Sequence, residues 1–271
     1  MGLTYTIIGT IIIFVATTLG SAMVFVVKKS ISNKVKQIIY GFSSGIMFSA
    51  AVFGLLVPAF NDKTSTSYID EKFIWIIPVI GFLLGCLFIY LLDKLIPHIH
   101  KNPKGDDIEE GIKNNFSRGN KLFLAVTLHN IPEGLNVGLA FGVALASKDM
   151  SSPLFLSALM LSVGMAIQNF PEGAAVSIPL LEEGYSKNKA FWFGTLTGLV
   201  EPIAAAIGIL LSFQVTQFMP WGLSFAAGCM VYVVIEDLFP ELFEHKDCHF
   251  GIWAFIVGFV LMMILDSISS I

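Results

Sequence analysis

Eight apolar runs, each long enough to cross a bilayer as a helix, leave this chain little freedom in what it can fold into. They occupy 3–27, 38–60, 73–97, 121–146, 153–181, 190–213, 219–241 and 250–268. A hydrocarbon core of about 30 Å requires roughly 20 helical residues. No water is available there, so every backbone N–H and C=O must be satisfied within its own segment, and each run is predicted to be a helix. Charged residues make up 13% of the 271, against about 25% in a soluble domain. The expected fold is an all-α membrane protein of eight transmembrane helices, one domain spanning 1–271 in a lipid bilayer. The first run is longer than a signal-peptide core and lacks a basic leader, so it reads as a retained helix. The formal net charge of −4 and the lack of any dense basic cluster argue against a nucleic-acid partner. Cys86, Cys229 and Cys248 form no CxxC pair and read as small buried residues rather than a disulfide framework.

An even number of spans places both termini on one side. The chain has 16 lysines and arginines. Thirteen of them fall in the loops after spans one, three, five and seven, counted with their flanks. The other three, Lys63, Lys72 and Lys148, lie on the opposite side. The positive-inside bias therefore makes the lysine-rich loops cytoplasmic and both termini extracellular, in a multi-pass protein of the cell membrane. The longest connection, at about 98–120, is polar and has no amphipathic period, so a mobile cytoplasmic loop is expected there. Glycines at small-residue spacing, as in "GFSSG" at 41–45 and "GTLTG" at 194–198, permit close helix contact.

The informative residues are the polar ones inside the runs. Glu133, Glu172 and Glu201 lie near mid-span, joined by His129, Asn130, Gln168 and Asn169. An ionised group at the bilayer centre costs about 2.5–3.5 kcal/mol on insertion scales, so such groups face the bundle interior and mark function. No lysine or arginine sits at that depth. Three buried carboxylates without a cationic side chain need protons or a bound cation. His129 and Glu133 are four residues apart and share a helix face, with Cβ atoms about 5–6 Å apart. Gln168 and Glu172 repeat the spacing on the next span. Imidazole nitrogen and carboxylate oxygen bind divalent first-row metals, and amide oxygens are weaker, harder ligands. Pro132 and Pro171 remove a helical hydrogen bond each and displace the carbonyls of Leu128 and Ile167, so both helices are expected to kink at the polar cluster. Gly134 and Gly173 would keep that kink uncrowded, and Glu201-Pro202 adds a third acidic residue beside a proline.

"HNIPEGLNVGLAFG" at 129–142 and "QNFPEGAAVSIPL" at 168–180 resemble the ZIP family (Zrt-, Irt-like proteins) of divalent-metal transporters, in its prokaryotic-type branch. The resemblance extends to "GFSSGIMFSAAVFGLLVPAF" in the second run, "GLVEPIAA" in the sixth, "GCMVYVVIEDLFPE" in the seventh and "GFVLMMILD" in the last. It implies an inverted repeat of spans 1–3 against 6–8, with spans four and five between the repeats carrying the metals. It also implies a two-metal site. The first metal would take His129, Glu133, Gln168 and Glu172, with Met47 nearby. The second would take Asn130, Glu133, Asn169, Glu172 and Glu201, the two PEG glutamates bridging both. Some members place an aspartate where this chain has Asn169, so a more weakly occupied second position is expected. The transported ion would be Zn2+ foremost, with Cd2+, Fe2+ and Mn2+ chemically admissible, and no prosthetic group is implied. The expectation of a homodimer comes from the family alone.

Other polar groups read as ordinary surface first. His98 and His100 open the long loop, and His245, Cys248 and His249 lie in the last one; exposed loop residues explain them, with weak metal collection the sharper alternative. Glu236, Asp237 and Glu241 read as interfacial charge or, alternatively, as an acidic exit for a cation. Asp93 and Asp266 suit span ends, and Asp62, Asp70 and Glu71 suit the outer surface. Two other functions compete with metal transport. A proton-coupled carrier of an organic solute would use the glutamates but not the His, Gln and Asn set. An intramembrane metalloenzyme would want an HExxH helix, which the sequence lacks.

Overall fold

The computed structural model describes residues 2–27, 32–62, 69–95, 98–101, 107–110, 118–147, 149, 153–214, 219–243 and 248–269. The helices are α1 (Gly2–Ser21), α2 (Asn33–Ser49), α3 (Val57–Asn61), α4 (Ile76–Leu95), α5 (Arg118–Ala146), α6 (Pro153–Glu182), α7 (Lys187–Gly198), α8 (Val200–Gln214), α9 (Met219–Val233), α10 (Phe239–Phe243) and α11 (His249–Ser269). Every apolar run is helical over most of its length among the described residues. Among the described residues, seven stretches are long and apolar enough to cross a membrane. The remaining long helix, α5, has 29 residues, its apolarity diluted by His129, Asn130, Glu133 and Asn136. Leucines and isoleucines such as Leu3, Ile7, Ile11 and Leu19 of α1 face outward, while Thr6, Thr17 and Ser21 are buried. This inverts the polarity of a soluble bundle, as expected of a chain solvated by lipid.

Two spans contain π-helical stretches, Ala50–Leu56 between α2 and α3, and Val234–Leu238 between α9 and α10. The Val57 N–H bonds the Val52 carbonyl, and the Phe239 N–H bonds the Val234 carbonyl, five residues back in each case. Each stretch is followed by a proline, Pro58 or Pro240. Proline has no N–H to continue the α-helical ladder, and a widened turn accommodates the gap. The sixth span breaks instead of widening: α7 and α8 meet at Leu199, whose N–H bonds Leu196 at 3.2 Å. Pro202 then sits in the first turn of α8, where a missing N–H costs nothing. The expected loop at 98–120 contains an antiparallel ladder, β1 (His98–Lys101) with β2 (Asp107–Glu110), His98 opposite Glu110. Residues 102–106 and 111–117 of that segment lie outside the described residues.

The most extensive helix contacts pair α1 with α6, α5 with α8, α2 with α11 and α4 with α9. In spans, these are one with five, four with six, two with eight and three with seven. Exchanging span one with six, two with seven, three with eight and four with five returns the same set of pairs. The π-helical stretches, in spans two and seven, also exchange. This is the pattern an inverted repeat around spans four and five produces. At the α4–α9 seam the two helices bond each other reciprocally: Cys86 Sγ donates to the Gly228 carbonyl at 3.3 Å, and Cys229 Sγ to the Gly85 carbonyl at 3.4 Å.

Candidate metal site

The polar face of α5 meets that of α6 in the bundle interior, and the first turn of α8 closes the cluster. Asn130, Glu133, Gln168, Asn169 and Glu201 are each at most 1% exposed, and Glu172 is half-buried. Local sequence explains the convergence. Gly134 follows Glu133 because a Cβ there would collide with the Glu201 carbonyl of α8. Gly173 follows Glu172 because a Cβ there would collide with the Thr17 carbonyl of α1. The two PEG glycines therefore let backbones touch, a role beyond the relief of a kink. Both helices run continuously through Pro132 and Pro171.

Gln168 stands between the two PEG glutamates. Its Nε2 donates to Glu133 Oε1 at 2.6 Å and to Glu172 Oε1 at 3.1 Å. A second group forms around Glu201: Asn169 Nδ2 donates to its Oε2 at 2.6 Å, and the Thr17 hydroxyl lies 3.1 Å from its Oε1. Asn130 Nδ2 donates to the Thr197 carbonyl at 3.0 Å. Four acceptor oxygens of this cluster are buried without a hydrogen-bond partner: Asn130 Oδ1, Glu133 Oε2, Gln168 Oε1 and Asn169 Oδ1. Buried polar atoms are almost always paired. Four unpaired oxygens stand in a cluster whose two helices carry no lysine or arginine between Lys121 and Lys148 or between Lys148 and Lys187.

His129 is turned elsewhere. Its Nε2 lies 3.0 Å from Asp237 Oδ2, on the π-helical stretch of the seventh span. The i, i+4 spacing placed His129 and Glu133 on one face, and the side chain extends from that face toward another helix. Met47 is 1% exposed in the core of α2. Among the described residues, no three His, Cys, Asp or Glu side chains are gathered tightly enough to hold an ion by themselves; the cluster mixes carboxylates with amides. Sequence reasoning missed Thr17, a hydroxyl in an apolar helix. It also missed Asn136, three residues after Glu133, whose polarity in mid-span was the available signal. Asp70 serves locally, accepting from the Lys72 N–H and pairing with the Lys72 ammonium at 3.2 Å. His245 lies outside the described residues, as do the side chains of His98, His100 and Glu241.

The family model described as ZIP Zinc transporter matches residues 3–121 and 104–266. The chain belongs to the ZIP family. The human zinc transporter ZIP11 is 33% identical over 96% of both chains. The zinc transporter GufA of Myxococcus xanthus is 33% identical over 93% of both. The zinc transporter ZupT of Chlorobaculum parvum is 33% identical over 94% of both. Family membership and the apolar helices together make this a multi-pass integral membrane protein.

Proposed function

We propose that this ZIP-family chain carries divalent metal cations, Zn2+ foremost, across the cell membrane into the cytosol through two adjoining positions on α5 and α6. The observation that carries this reading is the cluster of buried carboxylates with four unpaired acceptor oxygens and, among the described residues, no lysine or arginine hydrogen-bonded to it. A cation would satisfy the oxygens and the charge at once. The first position draws on Glu133, Gln168 and Glu172, with His129 and Met47 at its margin. The second draws on Asn130, Asn169 and Glu201, and shares Glu133 and Glu172. Side chains replace the water a metal sheds, and exchange between adjoining positions moves it on. Cd2+, Fe2+ and Mn2+ suit the same donors. Metal binding releases protons from ligands that were protonated, so flux is pH-dependent.

The lysine distribution supports cytoplasmic loops after spans one, three, five and seven, with both termini outside. On that orientation, Asp237 lies in the cytoplasmic half of the seventh span, and its contact with His129 supports the acidic-exit reading. The test is direct. Purified protein is reconstituted in liposomes that enclose a zinc-sensitive dye, and Zn2+ or Cd2+ is added outside. Protein-dependent influx is expected. Its absence across metals and pH overturns the proposal.

A further inference from the structure

Asn136 is wholly buried on α5, three residues beyond Glu133 and on the same helix face. Its Oδ1 has no hydrogen-bond partner. Among the described residues, its Nδ2 reaches a single acceptor, the Met230 Sδ of α9, at 3.7 Å. A thioether is a weak acceptor. Neither end of this buried amide is well satisfied, although a buried amide kept for packing normally finds strong partners. Met230 is itself wholly buried.

We infer that Asn136 and Met230 form a further metal-binding position, one helical turn from the Glu133–Glu172 cluster, that favours the softer divalent cations. The inference rests on the transport reading above. Rotating the amide about its Cβ–Cγ bond exchanges nitrogen for oxygen and aims Oδ1 at the sulfur side. The observed 3.7 Å separates the amide nitrogen from the sulfur, so after that rotation oxygen and sulfur stand near enough to share one ion. Glu133 Oε2, also unpaired, lies one turn along the same face, and water completes the shell. A thioether prefers soft ions, so Cd2+ gains more here than Zn2+. On the proposed orientation this position precedes the main cluster on the path inward, where it biases which ion arrives.

Two measurements test it. Crystals of the full chain soaked in Cd2+ are expected to give anomalous density at the α5–α6 cluster and between Asn136 and Met230. Density at the cluster alone overturns the inference and leaves the transport reading standing; density at neither overturns both. In liposomes, Met230→Leu keeps the volume and removes the sulfur, and Asn136→Leu removes the oxygen. Each is expected to lower the Cd2+:Zn2+ flux ratio about tenfold, the scale of a perturbed ligand set. A ratio unchanged in either leucine variant overturns the inference.

Discussion

Gln168 donates through one nitrogen to both PEG glutamates, so an amide bridges the two carboxylates. If a cation takes the proposed position, those bonds must give way, and the unpartnered Oε1 is the atom the amide would offer it. Glu172→Ala removes one bridging carboxylate, and His129→Ala removes the imidazole paired with Asp237. Both are expected to abolish zinc flux in the liposome assay, with insertion and yield intact by detergent chromatography. Asn169 supports a sharper prediction, because its amide is the donor that stabilises Glu201 at 2.6 Å. Asn169→Asp replaces a donor by a second carboxylate. The metal-free protein should lose about 2 kcal/mol, the worth of a hydrogen bond to a charged group. Zinc should restore the loss, and anomalous scattering should show more metal beside Glu201. A midpoint of unfolding that zinc does not raise in this variant would refute the charge argument. The residues of this cluster were legible in the sequence because a polar residue in mid-span is costly and rare. Their partners were not. Asp237 and His129 are more than a hundred residues apart, and only the packing of α5 against the seventh span selects the rotamer that joins them.

The helices themselves were the most legible elements. The run read at 73–97 is helical over Glu71–Leu95, and that at 153–181 over Pro153–Glu182. Length and apolarity fix such ends, because lipid thickness allows few alternatives. Irregularities within spans were not legible. Prolines at 132 and 171 pass through continuous helices, those at 58 and 240 follow π-helical stretches, and that at 202 opens a new helix. The same residue type thus has three outcomes, and the sequence around each proline does not announce which. At this scale the decisive contact is α5 on α8 at Gly134. A methyl group there meets backbone, which cannot yield as a side-chain end can. Gly134→Ala should push α8 away, cost about 1–3 kcal/mol as overpacking does, and move Glu201 from the cluster. Thermal unfolding in detergent checks the first effect and zinc flux the second. A fully active variant of unchanged stability would show that the seam is slack. Pro202→Ala tests the break between α7 and α8. Restoring an N–H allows one continuous helix, and flux should fall while stability holds or rises.

Across the whole molecule, the four strongest helix pairs sort into two groups. α1, α5, α6, α7 and α8 contact one another and carry every proposed ligand except Met47 and Met230. α2, α4, α9 and α11 form the other group, and contacts between the groups, such as α6 with α11 and α5 with α9, are less extensive. Strong contacts within and weaker ones between are the mechanical condition for one group to move against the other. If movement carries the metal, a covalent link between groups stops transport, and one within a group does not. Gly164 of α6 faces Met262 of α11 across the boundary, and Gly2 of α1 faces Phe155 of α6 within one group. In a background with Cys86, Cys229 and Cys248 replaced by alanine, cysteine pairs at 164/262 and at 2/155 can each be closed by a short bifunctional reagent with a reducible bond. Closing the 164/262 pair should abolish zinc influx, and reduction should restore it. Closing the 2/155 pair should leave influx near that of the cysteine-free chain. Equal flux in both closed forms would mean that the metal passes through a bundle whose two groups stay fixed, by exchange between the ligand positions alone.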